Sequence, residues 1–128
     1  MVKEFLLVGF GSFLGGGTRY LVSAALQPWS FFQLPVGTFA VNIIGCFVLG
    51  LISGLSMQSS WLSPAARLIL TTGFCGGFTT FSTFMKENSA LLQDGHHLSL
   101  SIYIVSSLLV GLLAYIAGLQ MARVVTVK

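Results

Sequence analysis

Charge is what this chain lacks. Of its 128 residues only 7% are Asp, Glu, Lys or Arg, six basic against three acidic, while 55% are hydrophobic and the mean hydropathy is +0.92. A soluble domain carries ~25% charged residues to clothe its surface, so this composition excludes a soluble enzyme, a disordered segment and a nucleic-acid binder. The net charge of +3 does not point to an acidic partner, because six dispersed cations form no cluster of the kind a phosphate backbone requires. Cysteine is also scarce: Cys46 and Cys75 fall in apolar runs, where a thiol reads as a small buried hydrophobe rather than half of a disulfide or a metal pair. His96 and His97 have no carboxylate or thiol cluster beside them and are not read as metal ligands. Finally, no Asp, Glu or His stands in mid-run; Glu4, Glu87 and Asp94 sit at ends or in a loop, which disfavours proton-coupled pumping.

What is present is apolar sequence in membrane-sized lengths. A helix needs about 20 residues to cross ~30 Å of hydrocarbon, so the chain holds four spans and has no room for a fifth. Apolar runs between breaker clusters predict a single all-α transmembrane domain over residues 1–128, with spans at Glu4–Leu26, Pro35–Met57, Ala65–Leu91 and Leu98–Ala122. The connections are short: Gln27–Leu34 before Pro35, Ser59–Pro64, and a polar, solvated loop at Gln93–His97. Lys3 ahead of an apolar run and Ser23-Ala24-Ala25 after it mimic a signal peptide, but Arg19 between them argues that the first span is retained. Four spans put both termini on one side, where Lys3, Arg67, Arg123 and Lys128 face Arg19 and Lys86 on the other. This bias is compatible with insertion both ways round and with an ordinary inside preference.

Polar groups inside the spans are few. Thr38, Asn42 and Gly45 share one face of span two, with Asn42 about 10 Å in from Pro35 at 1.5 Å per residue. Its amide reads either as interhelical glue or as a donor to a transported ion. Tyr103, Ser107, Gly111, Ala114 and Gly118 form a stripe on span four; Gly11, Gly15 and Arg19 do so on span one, and Gly50 with Gly54 makes a Gly-x-x-x-Gly pair on span two. Close helix packing accounts for most of these glycines, but not for the tyrosine, hydroxyls and arginine beside them. Arg19 reads as a snorkelling anchor, as a cation drawing anions to a vestibule, or as both.

Span three is the unusual one. Gly73-Phe74-Cys75-Gly76-Gly77-Phe78-Thr79-Thr80 is a poor helix former, so either a bend or a break is expected near Gly76–Thr80. A break would free main-chain carbonyls at membrane depth, as in transporters that use broken helices as ion sites. Beyond it Phe81 and Phe84 lie three apart with Ser82 and Thr83 beside them, then Lys86-Glu87. Ring edges are electropositive and can line an anion path without holding the ion too firmly.

On these residues the chain resembles the Fluc (CrcB) family of small fluoride channels. The resemblance is carried by Gly16-x-x-Arg19-Tyr20, Gly37-Thr38-x-x-Val41-Asn42-x-x-Gly45 and Gly73-x-x-Gly76-Gly77-x-Thr79-Thr80-Phe81-Ser82-Thr83-Phe84, in order along four spans. It implies a non-enzymatic channel for passive fluoride export across the plasma membrane, assembled as an antiparallel, dual-topology homodimer with two pathways along the subunit interface. It also implies a structural sodium ion at the dimer centre, held by the main-chain carbonyls of Gly76 and Thr79. The implied fluoride pathway comprises Asn42, Phe81 and Phe84, with Thr38, Ser82, Thr83, Tyr103 and Ser107 as polar lining, Arg19 in the vestibule and Glu87 at the pore end. The main rival, a proton-coupled exporter of the small multidrug resistance type, needs a carboxylate deep in span one, where this chain has only the terminal Glu4 and the oppositely charged Arg19.

Overall fold

The computed structural model describes residues 1–58 and 60–127; Ser59 of the second expected turn and Lys128 of the flanking cations lie outside the described residues. Four helical rods run through it: α1 (Val2–Leu26), α2 (Val36–Gln58), a composite third span over Pro64–Gln93 and α6 (His97–Val127). Each is long and apolar enough to cross a membrane, so the chain is an all-α, multi-pass integral membrane protein. The first two rods are joined by a small hairpin, β1 (Ser30–Phe31) against β2 (Leu34–Pro35), where a plain turn was expected. Its corner residues Phe32 and Gln33 have φ of 50° and 59°, a type I′ geometry that usually calls for Asn-Gly. Ser99, buried on α6, donates to the Phe32 carbonyl at 2.8 Å and holds the tip. Pro35 ends the hairpin, so α2 starts at Val36.

The third span is not one helix. Ser63 caps α3 (Pro64–Leu68) by accepting from the Ala66 N–H at 3.1 Å, with Pro64 in the first turn where its missing N–H costs nothing. A π-helical stretch, Ile69–Cys75, follows and leads into α4 (Gly76–Phe78). Thr79 then turns extended (φ −82°, ψ 158°) and α5 (Ser82–Gln93) resumes. The break therefore falls at Thr79–Phe81, later than the glycines suggest. Gly76 and Gly77 both stay helical; the bareness of Gly77 serves contact, since a Cβ there would sit 2.7 Å from the Ser12 carbonyl of α1, whereas Gly76 faces open space. The C-terminus of α5 closes on Gly95 (φ 76°), with Gly95 N–H to the Leu92 carbonyl at 3.2 Å and His96 N–H to that of Leu91 at 2.9 Å. His97 already begins α6, which leaves a tighter loop than expected, and α6 continues past Ala122 to Val127.

Two close crossings hold the rods together. On α1, a Cβ at Gly11 or Gly15 would overlap the carbonyls of Ile69 or Phe74 in the third span; on α2, one at Gly50 would overlap the Tyr115 carbonyl of α6. Lipid tails are as apolar as leucine, so such backbone approach, not exclusion of oil from water, drives the packing. A buried cluster of Phe84, Leu91 and Tyr103, flanked by Leu34, Phe39, Leu100 and Ile104, fills the space between α5, α6 and the hairpin.

The α1 crossing sets a direct test. Gly15→Ala is expected to destabilise the folded protein by about 1–3 kcal/mol through overpacking, whereas Gly17→Ala, with open space around it, leaves stability unchanged. Thermal denaturation of the two purified variants in detergent separates them; equal melting would remove the crossing from the account.

Candidate ion pathway

Asn42, nearly two turns inside α2, reaches across to the break. Its Nδ2 donates to the Thr80 carbonyl at 3.0 Å and its Oδ1 accepts from the Thr80 N–H at 2.7 Å, so one carboxamide pairs both main-chain groups of a residue that belongs to no helix. Gly45 makes this possible: any side chain there would collide with the Thr79 methyl, so only a bare backbone lets α2 come close enough. The amide is thus interhelical glue, and of its two N–H hydrogens one is committed to Thr80.

This pairing alters the carbonyls before the break. In an unbroken helix the Gly76 carbonyl would accept from the Thr80 N–H, which is taken by Asn42. The Thr79 carbonyl would accept from the Thr83 N–H, which donates instead to Thr80 Oγ1 at 3.2 Å. Gly76 and Thr79, the two residues whose carbonyls the sequence motif marks, have both lost their helical donors. Gly76 is exposed and Thr79 half-buried on one open groove. Neutral carbonyl oxygens suit a hard cation. Among the described residues no group of three or more His, Cys, Asp or Glu offers a softer site.

The groove has a volume of about 580 Å³ and is lined by Asn42, Gly76, Thr79, Phe81, Phe84 and Ser107, among others. The two phenyl rings lie 6.0 Å apart at 46° and both line this groove. Phe81 lies outside the helix and is 71% exposed, whereas Phe84 is 5% exposed and stands edge-to-face against Tyr103 at 4.9 Å. The Ser107 hydroxyl oxygen is buried without a partner. A second cavity of about 410 Å³ opens on the next turn of α5, between Thr83 and Glu87, with Thr38, Tyr20, Ser23 and the hairpin residue Leu34 around it. Tyr103 links the two regions: its ring packs on Phe84 and its hydroxyl donates to Glu87 Oε1 at 3.3 Å.

Of the residues marked in the sequence, Asn42, Phe81, Phe84, Ser107, Gly76 and Thr79 meet at the first cavity, and Thr38, Thr83 and Glu87 at the second. Arg19, Ser82 and the fully buried Tyr103 line neither. Ser82 is exposed, its hydroxyl 3.5 Å from that of Thr80, and Arg19 is half-buried with its Nε unpartnered. Sequence reasoning gave Thr80 no role of its own. The signal was there: a threonine three residues ahead of Thr83 at a helix start has N-cap spacing. Nothing comparable announced the π-helical stretch.

A family model described as CrcB-like protein, camphor resistance, matches residues 6–119. The chain belongs to this family. It is 49% identical over 125 residues to a protein of Chlorobium phaeobacteroides, covering 98% of this chain and 96% of the relative. It is 50% identical over 123 residues to one of Chlorobaculum tepidum, covering 96% and 97%. A more distant relative from Azobacteroides pseudotrichonymphae is 41% identical over 118 residues, covering 92% and 94%. All three relatives bear the name fluoride-specific ion channel FluC.

If Asn42 clamps the break, Asn42→Ala leaves the Thr80 N–H and C=O unpaired and costs about 1–3 kcal/mol per orphaned group. Hydrogen exchange of the Thr79–Thr83 amides in detergent-solubilised protein is expected to accelerate in that variant, and an unchanged rate would sever the clamp from the break.

Proposed function

We propose that the chain is a fluoride-selective channel for passive export of fluoride, assembled as a homodimer of antiparallel copies with two pathways along the interface and one structural sodium ion at its centre. The observation that carries this reading is the row of neutral dipoles and ring edges on either side of the broken helix, in a chain about half identical to proteins named as fluoride channels. A bare small anion loses tens of kcal/mol of hydration in the Born limit, so each step along a pore must return contacts without trapping the ion.

The groups present fit that demand. Asn42 keeps one N–H hydrogen free of Thr80 for an anion passing along the groove. Phe81 and Phe84 would offer ring edges next, and Ser82, Thr83, Thr38 and Ser107 would offer hydroxyl donors. At the pore end the Tyr103 hydroxyl donates to the Glu87 carboxylate, so fluoride and carboxylate would compete for one donor there. Arg19, the cation near this end of α1, would draw anions toward the vestibule.

Support for a second copy comes from what one chain leaves open. Phe81 is 71% exposed beside a groove about 580 Å³ in volume that ends on the unpartnered Ser107 oxygen. Two carbonyls, those of Gly76 and Thr79, are too few for a hard cation, which takes several oxygens; a two-fold mate doubles the set. Sodium, when bound, would supply charge that fixes the freed carbonyls and ties the copies together.

Purified protein in liposomes is expected to release fluoride rapidly on addition of an ionophore and to retain chloride; retention of fluoride would end the proposal. Phe81→Ile and Phe84→Ile should each suppress fluoride efflux while size-exclusion chromatography still reports a dimer, and undiminished efflux in both would take the rings out of the mechanism. For orientation, Lys3→Cys in a background lacking Cys46 and Cys75 is expected to react with an impermeant maleimide from both faces of the cell membrane. Labelling from a single face would exclude the antiparallel arrangement.

A further inference from the structure

We propose that Thr80 is a positioning residue that holds the Gly76 and Thr79 carbonyls open for the central cation without ligating it; this rests on the sodium site proposed above. A threonine on a polar groove reads most simply as pore lining. Its hydrogen bonds say otherwise. Both main-chain groups of Thr80 are taken by Asn42, the carbonyl at 3.0 Å and the N–H at 2.7 Å, and its Oγ1 accepts from the Thr83 N–H at 3.2 Å.

Each bond has a consequence one turn away. The N–H given to Asn42 is the one the Gly76 carbonyl would otherwise accept, and the N–H captured by Oγ1 is the one the Thr79 carbonyl would otherwise accept. The Thr80 carbonyl is itself occupied by the Asn42 amide and so is not offered to the cation. Asn42 alone frees only one of the Gly76 and Thr79 carbonyls. The second depends on the Thr80 hydroxyl: without it, the Thr83 N–H loses its capping acceptor, its helical-register acceptor would be the Thr79 carbonyl, α5 would be free to grow back toward α4, and the cation would lose an oxygen from each copy.

The experiment compares wild type with Thr80→Val, which keeps the shape and removes the hydroxyl, and Thr80→Ser, which keeps the hydroxyl. Thr80→Ala serves as a second hydroxyl-free variant should valine prevent assembly. For each full-length protein in detergent, thermal stability is titrated with sodium chloride against N-methylglucamine chloride at constant ionic strength, and fluoride efflux from liposomes is measured over the same sodium range. The hydroxyl-free variants should need about ten-fold more sodium for half-maximal stabilisation, the factor that ~1.4 kcal/mol, of the order of one hydrogen bond, represents. The sodium needed for half-maximal efflux should rise in parallel, and Thr80→Ser should titrate like wild type. A wild type whose stability and efflux ignore sodium would overturn the sodium site itself. A wild type that responds, with hydroxyl-free variants titrating as it does, or with Thr80→Ser as impaired as Thr80→Val, would leave that site standing and overturn the role of Thr80.

Discussion

Hydrocarbon does not forgive an unpaired peptide group, and the architecture turns on how one side chain meets that constraint. A break in a membrane helix exposes main-chain donors and acceptors that no water can satisfy, at several kcal/mol each. Here the carboxamide of Asn42 presents acceptor and donor in the spacing that a peptide group needs, and takes both groups of Thr80. The break is thereby confined to Thr79–Phe81, since α5 has resumed by Ser82. Everything specific to the site follows from where that clamp falls. Phe81 is thrown outward before the helix restarts, Phe84 is turned inward against Tyr103, and the next turn carries Thr83 and Glu87 into the second cavity.

The clamp depends in turn on glycine. Helices in lipid gain nothing from hiding apolar surface, so they associate where backbones can touch. Gly11 and Gly15 bring α1 onto the third span, and Gly50 with Gly118 brings α2 onto α6. Gly45 does the same at the break, where α2 approaches Thr79 closely enough for Asn42, less than one turn away, to reach Thr80. The same helix is therefore braced against α6 on one side and stitched to the third span on the other. Scarcity of charge is part of this design: packed so closely, the rods have little room for long ionic side chains.

Much of this was legible from residue order. Four apolar runs and their breakers gave the four helices, because membrane thickness fixes helix length independently of tertiary detail. The depth of Asn42 and the weak helix propensity around Gly76 marked the place where chemistry concentrates. The exact site of the break was not legible, because Gly76 and Gly77 look like helix breakers on propensity yet both stay helical, Gly77 as contact surface against Ser12. Propensity counts the cost of a glycine in isolation; the neighbouring helix decides its use. Equally hidden were the hairpin, whose left-handed corner falls on Phe32 and Gln33 rather than glycine or asparagine, and the role of Thr80, which exists only once Asn42 has taken its main chain.

A broken helix also presents two ends of opposite polarity to the same small volume. The segment from Pro64 to Phe78 ends at the break with its C-terminal carbonyls, and α5 opens from it with N–H groups that have no helical acceptor, that of Thr83 being capped by Thr80 Oγ1. Peptide dipoles give the first end partial negative character and the second partial positive character. A cation near Gly76 and Thr79 and an anion near Phe81 would each therefore meet the favourable end, with no ionised side chain between them. On the proposed reading, that division lets a site without a mid-span charge address ions of both signs. Thr80 keeps the ends apart: one more helical bond at that point would merge them and cancel the polarity that either ion would meet.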